Sequence, residues 1–185
     1  MRRSAAETRE HVLKVAHELF YWNGIRATGV DRISAEAGVA PMTLYRLFPS
    51  KDDLVAAYLA RAHDLYREWF DAAAERGGTD PAARILAVFE ALVDQTDPSQ
   101  CRGCPFLMAL AEIPDRDHPG HQQAVRTKQW VRTRFGELAA PLGGDQLADH
   151  LTLLMEGVYA SAQAMGTTGP AHQARTLAEL LLTTR

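Results

Sequence analysis

No run of eighteen consecutive apolar residues occurs in this 185-residue chain, so nothing in it reads as a membrane-spanning helix. The opening residues (Met1, Arg2, Arg3, Ser4, then Glu7 to Glu10) lack the apolar stretch of a secretory signal, and a cytoplasmic home is expected. Two cysteines are too few for a disulfide framework, which fits a reducing compartment. There is no Gly-rich phosphate loop, no Gly-x-Ser-x-Gly elbow and no His-Glu-x-x-His, so no catalytic residue is expected. No internal repeat or low-complexity tract is visible. No stretch alternates with period two over more than a few residues, which leaves little room for a sheet.

What is present is a chain with 46% hydrophobic and 23% charged residues, the balance of a folded globular protein. Val12, Val15, Ala16, Leu19 and Phe20 recur at helical spacing, as do Ile85, Val88, Phe89, Leu92 and Val93. Breakers punctuate the chain at Asn23-Gly24, Gly38, Pro49-Ser50, Gly77-Gly78, Asp97-Pro98, Pro114 to Pro119, Pro141 to Gly144 and Gly166 to Pro170. The spacing predicts an all-α fold of about nine helices: roughly 5–22, 29–37, 41–48, 51–75, 81–95, 102–113, 119–140, 145–166 and 170–183. Thr28 with Asp31, and Ser50 with Asp53, are spaced as capping boxes. Asp80-Pro81 reads as a cap followed by proline at the first helical position.

The net charge of −3 is unevenly spread. Residues 1–51 carry eight Lys or Arg against five acids, +3, while the remainder carries twelve against eighteen, −6. A basic module ahead of an acidic body is what a chain shows when one end meets phosphates. Within that module, Val30 to Phe48 reads as two helices joined through Gly38. Val30, Ile33, Ala37, Val39, Leu44 and Phe48 form an apolar seam, and Gly38 supplies a turn conformation that other residues resist. The second helix then exposes Pro41, Met42, Thr43, Tyr45 and Arg46, a face with a hydroxyl, a phenol and a guanidinium suited to the DNA major groove. Lys51 and Thr28 each begin a helix and are placed to meet a phosphate. The alternative is that Thr28 and Ser50 only cap helices and that Tyr45 packs beside Leu44. Arg2 and Arg3 fit either a minor-groove arm or solvated terminal charge.

Thr8-Arg9 through Ala16 to Leu19-Phe20, Gly24, Thr28, Val30, Ile33, Ala37-Gly38-Val39, Thr43-Leu44-Tyr45, Phe48-Pro49-Ser50-Lys51 and Asp53-Leu54 together resemble the DNA-binding domain of the TetR family of transcriptional regulators. The resemblance implies a homodimer that binds double-stranded operator DNA through Thr43 and Tyr45, with Lys51 on a phosphate, and a helical domain that binds a small-molecule effector relieving repression. Ala40 departs from the family's usual capping serine, and Leu47 from its usual His or Tyr on the DNA backbone. The implied organisation is a helix-turn-helix DNA-binding domain at 1–50 and a larger helical ligand-binding and dimerisation domain at 51–185.

Later in the chain, Leu147, Leu151, Leu154, Met155, Val158 and Ala162 form one apolar stripe, and Leu153, Gly157, Ala160 and Ala164 extend it to other faces. A helix apolar nearly all round is buried nearly all round, so this segment and the Leu177, Leu180, Leu181 and Leu182 stripe are expected at the subunit interface. Phe89, Phe106, Leu110, Trp130, Met155 and Tyr159 are candidate ligand-binding residues on the middle helices, where the family keeps its cavity. Trp130 and Tyr159 lead because each joins an apolar body to a polar tip. Leu54, Tyr58, Leu65 and Trp69 are spaced to pack one face of the helix that starts near Ser50. Cys101-x-x-Cys104 and His118-x-x-His121 allow a zinc or redox reading, but the cysteines are expected to be plain structural ones. Two residues between the histidines are fewer than a Cys2His2 site uses, and neither a metal nor a cofactor is expected. An oxidoreductase built on the cysteine pair and a helical adaptor that binds protein are the competing classes.

Overall fold

The computed structural model describes residues 4–97 and 101–183. Arg2 and Arg3 lie outside the described residues. Among those residues there are nine α-helices and no strand. They are α1 (Ala5–Asn23), α2 (Val30–Glu36), α3 (Pro41–Leu47), α4 (Lys51–Glu75), α5 (Pro81–Gln95), α6 (Pro105–Glu112), α7 (Pro119–Ala139), α8 (Gly144–Met165) and α9 (Ala174–Thr183). The chain divides into two compact units. The first holds α1 to α3, α4 to Asp64, α6 and α7 to Arg126, and the second holds the rest.

In the first unit the local signals and the packing agree. Ser4 caps α1 in a capping box with Glu7: the Glu7 amide donates to Ser4 Oγ at 3.2 Å and the Ser4 amide to Glu7 Oε2 at 2.7 Å. The helix buries Val12, Leu13, Ala16, Leu19 and Phe20. It stops at Gly24, whose φ of +90° sends the chain away while its amide still donates to the Phe20 carbonyl at 3.0 Å. Ile33, Ala37, Leu44 and Phe48 are buried, and Val30 and Val39 half-buried. Gly38, at φ +62°, makes the turn between α2 and α3. Each fully buried Leu, Ile or Phe contributes about 1.5–3 kcal/mol relative to exposure, enough for such short helices to hold by packing where propensity alone would not.

Two start signals came out differently from the spacing. Thr28 does not cap α2. The N-cap is Gly29, without a side-chain hydrogen bond, because the Thr28 hydroxyl is already donated to the Gly24 carbonyl at 2.7 Å and the Leu19 carbonyl at 3.3 Å. Ser50 does cap α4, receiving the Asp53 amide at 3.0 Å and donating its own hydroxyl to Asp53 Oδ2 at 2.6 Å. The proposed α4 stripe also differs: Leu54 and Tyr58 are buried, but Leu65 is exposed and Tyr66 takes the interior position.

The second unit is organised by aromatic rings. Phe89 stacks on Phe135 at 5.6 Å, Phe135 meets Phe70 edge-on at 5.2 Å, and Phe70 meets Trp130 edge-on at 5.5 Å. Tyr66 and Trp69 extend the series. Asp80 caps α5 as the sequence suggests, accepting the Ala83 amide at 3.0 Å with Pro81 next. Leu147, Leu151, Met155, Val158 and Ala162 of α8 face inward, while Leu153, Gly157, Ala160 and Ala164 lie on exposed surface. Helix α9 starts at Ala174 rather than near 170, because two 3-10 turns, Gly166–Thr168 and Pro170–Gln173, come first.

Candidate nucleic-acid interface and ligand-binding region

Helix α3 presents its two faces to different surroundings. Leu44 is buried against the module, whereas Met42 is 80% and Tyr45 45% exposed, with Pro41 and Arg46 also exposed and Thr43 half-buried. Met42 and Tyr45 thus face solvent on a helix of seven residues. The backbone N-cap Ala40 makes no side-chain hydrogen bond, and Pro41 occupies the first turn in its place. Lys51 stands half-buried as the first residue of α4. Thr28 is not brought to this surface. It is 0% exposed and its hydroxyl is committed to α1, so it is a core residue of the module and leaves the set of DNA-contact candidates.

A second feature of this unit has no signature in the sequence. Glu112, the last residue of α6, accepts the Arg26 amide on Oε2 at 2.8 Å, 86 positions away. The same carboxylate lies 3.3 Å from where a Cβ on Gly24 would stand. Helix α6 therefore grips the loop that leads from α1 into α2. Beside α6, Leu110, Arg116, His121, Gln122, Val125 and Arg126 line an open groove of about 640 Å3, within the roughly 300–1,000 Å3 of small-molecule sites. His121 Nδ1 is held by the Ile113 carbonyl at 2.7 Å. His118 takes the Gly120 amide on Nδ1 at 2.9 Å and pairs with Asp52 through Nε2 at 3.2 Å. Both histidines are thus committed to their neighbours. Among the described residues no group of three or more His, Cys, Asp or Glu is arranged to hold a metal.

Of the ligand candidates, Phe106 and Leu110 belong to the first unit, and Phe89, Trp130, Met155 and Tyr159 to the second. Phe89 is enclosed by the ring stack. Met155 and Tyr159 lie in a buried polar seam that the sequence did not disclose. Tyr66 donates its hydroxyl to Met155 Sδ at 2.9 Å, and Tyr159 donates to Gln95 Oε1 at 2.9 Å. Burial, reinforced by the nearby Cys104 sulfur, pushes the Tyr66 hydroxyl well above the usual tyrosine range; burial and Tyr66 do the same to Tyr159. Both phenols remain neutral donors at physiological pH. In the same seam Lys128 Nζ donates to Cys104 Sγ at 3.0 Å and to both Glu156 oxygens at 2.9 Å. Burial works against the Lys128 charge, but Cys104 and Glu156 outweigh it and raise its pKa. The signal that might have located this seam is polar residues on otherwise apolar helices, but Lys128 and Glu156 look like ordinary surface charges in sequence.

An all-helical chain with an exposed, bipolar recognition helix after a glycine turn is a helix-turn-helix DNA-binding protein. Residues 12–58 match the family described as bacterial regulatory proteins, tetR family, and residues 81–178 match the tetracyclin repressor-like C-terminal domain. The structure is similar to that of SCO4454, a TetR-family transcriptional regulator from Streptomyces coelicolor, at 35% identity and TM-score 0.89, covering 96% of this chain and 95% of that one. A TetR-type regulator from Streptomyces avermitilis is 30% identical with TM-score 0.78, covering 95% and 97%. Curated HTH-type transcriptional regulators of Staphylococcus aureus are 36% identical over 66 residues, a match that spans 36% of this chain and 36% of their own length. The chain belongs to the TetR family of transcriptional regulators; it is a DNA-binding regulator and not an enzyme. No helix among the described residues is long and apolar enough to cross a membrane.

Proposed function

We propose that this regulator represses transcription by binding a palindromic operator as a homodimer and is released by a small-molecule effector. The observation that carries the DNA reading is the exposed face of α3. Pro41, Met42, Thr43, Tyr45 and Arg46 project from a helix whose other face is anchored through Leu44, with Lys51 opening the next helix. In this reading residues 1–50 form the DNA-binding domain and residues 51–185 the domain for effector and dimer. The dimer is supported by α8 and α9. After the inward stripe of α8 is satisfied, Leu153 is still 69% exposed and Leu180 of α9 54%, which is surface that a four-helix contact with a second copy would cover. Effector binding falls to Trp130, Met155 and Tyr159 of the second unit, whose polar handles lie in an apolar surround, with Phe89 of the same unit as the apolar complement. Glu112 is the residue through which α6 would transmit effector binding to the α1–α2 loop.

Footprinting of the purified protein on the DNA flanking its own gene tests this. A protected inverted repeat, with half-sites spaced by one helical turn or a multiple of it, is the expected outcome. Absence of any protected sequence at salt concentrations that permit specific binding overturns it.

A further inference from the structure

Cys101 and Cys104 are both unbridged and buried, yet one of them carries a lysine ammonium. A buried thiol in apolar surroundings stays protonated and inert. Here Lys128 Nζ stands 3.0 Å from Cys104 Sγ, and the two Glu156 oxygens at 2.9 Å hold that ammonium in place. The Lys128 and Glu156 side chains are 17% and 23% exposed, so the cluster meets solvent at its charged end. The loop bearing both sulfurs is built for its place. The Cys101 amide donates to the Asp97 carbonyl at 2.7 Å. Gly103 bends the chain at φ +134°, and a Cβ there would lie 2.9 Å from Gln163 Oε1 of α8.

We propose that Cys101 and Cys104 form a thiol switch that hydroperoxides oxidise to a disulfide, with Lys128 activating Cys104. The thiolate sulfur of Cys104 attacks the terminal oxygen of the hydroperoxide. An S–O bond forms, the O–O bond breaks, and the departing alkoxide takes a proton from the Lys128 ammonium, which solvent restores. Cys104 is then a sulfenic acid. The Cys101 thiol attacks that sulfur, an S–S bond forms, and the S–O bond breaks, hydroxide leaving as water with the Cys101 proton. Two thiols are oxidised by two electrons and one hydroperoxide is reduced to alcohol and water. Pro105, the residue after Cys104, opens α6, whose last residue holds the Arg26 amide. Drawing Cys104 away from Lys128 therefore shifts the start of the helix whose end grips the helix-turn-helix loop. This deepens the function proposed above by naming an effector chemistry, and its DNA readout rests on that reading.

The test uses full-length protein, reduced and freed of reductant, then treated with a slight excess of cumene hydroperoxide and followed by alkylation and intact-mass spectrometry. Both thiols are expected to lose their reactivity while the mass falls by two hydrogens. Cys101→Ser should stop at a sulfenic acid that dimedone traps, and Cys104→Ser should leave Cys101 alkylatable. Lys128→Met should slow the first step at least about tenfold, while Lys128→Arg, which keeps the charge, should restore it. Both variants are compared with wild type by circular dichroism in the reduced state, so misfolding is visible separately. A Cys104 that stays alkylatable under conditions that oxidise free cysteine, or a Lys128→Met variant as fast as wild type, overturns the chemistry. On the footprinted fragment, the disulfide form should bind at least about tenfold more weakly than the reduced form, and equal affinities overturn the switch. Reduced protein that binds no flanking DNA overturns the proposed function instead, while the mass readout still decides the thiol chemistry.

Discussion

Glu112 Oε2 accepts the backbone amide of Arg26 at 2.8 Å, so a carboxylate at the end of α6 fastens the loop between α1 and the helix-turn-helix. Because Arg26 is exposed, water would replace the lost partner, and Glu112→Ala should destabilise the chain by only about 0.5–1.5 kcal/mol. Glu112→Gln, which keeps an acceptor oxygen, should recover most of that. Denaturant midpoints of the two variants check this, and a Gln variant as unstable as the Ala variant would show that charge, not hydrogen bonding, holds the loop.

On the recognition helix, Tyr45→Ala should weaken operator binding by about 1–3 kcal/mol if the phenol meets a base edge. Lys51→Ala should weaken binding to all sequences alike and flatten the plot of log K against log salt by about one unit. Binding isotherms at several salt concentrations separate the two. An unaltered salt slope would remove Lys51 from the phosphate contacts.

Thr28 yields the opposite expectation. Thr28→Val removes a buried donor from the Gly24 and Leu19 carbonyls and should cost about 1–3 kcal/mol of stability, with no change in the salt slope of operator binding. A flattened slope at full stability would return Thr28 to the DNA surface.

The proposed dimer predicts that Leu153→Asp together with Leu180→Asp yields a folded monomer, since both side chains are on exposed surface within the chain and only a second copy would bury the new charges. Light scattering that finds an unchanged dimer rules out this face.

Stability should also respond to pH through His17. Burial lowers its pKa, with Glu18 opposing and Arg61 adding to the effect, and its ring is enclosed by Tyr21 and Tyr58. The folded state therefore keeps His17 neutral at a pH where the unfolded chain, with an ordinary histidine pKa of about 6.5, has taken up a proton. Stability is full above that value and falls as pH drops below it, until the folded-state pKa is reached. Urea midpoints between about pH 5 and 7.5 should decline toward acid in wild type and less so in His17→Gln.

Much of this architecture is legible in the sequence. The 3.6-residue spacing of Val12, Ala16, Leu19 and Phe20, the glycine at 38 and the Asp80-Pro81 start are local signals, and they describe what the backbone does. Legibility stopped where one segment is satisfied by another. Thr28 looked like a cap because its spacing to Asp31 is right, but carbonyls of α1 took its hydroxyl first. Helix α6 begins at Pro105 rather than near 102 because Gly103 bends the chain and Cys101 turns back to Asp97. The pairings of Arg26 with Glu112 and of Lys128 with Cys104 join residues 86 and 24 positions apart, and no periodicity marks them.

The aromatic stack of the second unit has an optical consequence. Of the three tryptophans, Trp22 is 42% exposed on α1, while Trp69 and Trp130 stand among the rings of Tyr66 and Phe70. Emission from Trp22 should be that of an indole in contact with water, and emission from the half-buried Trp69 and Trp130 should lie to its blue side. Trp22→Phe therefore leaves a chain whose tryptophans all lie in the second unit, so the melting of that unit can be followed by itself.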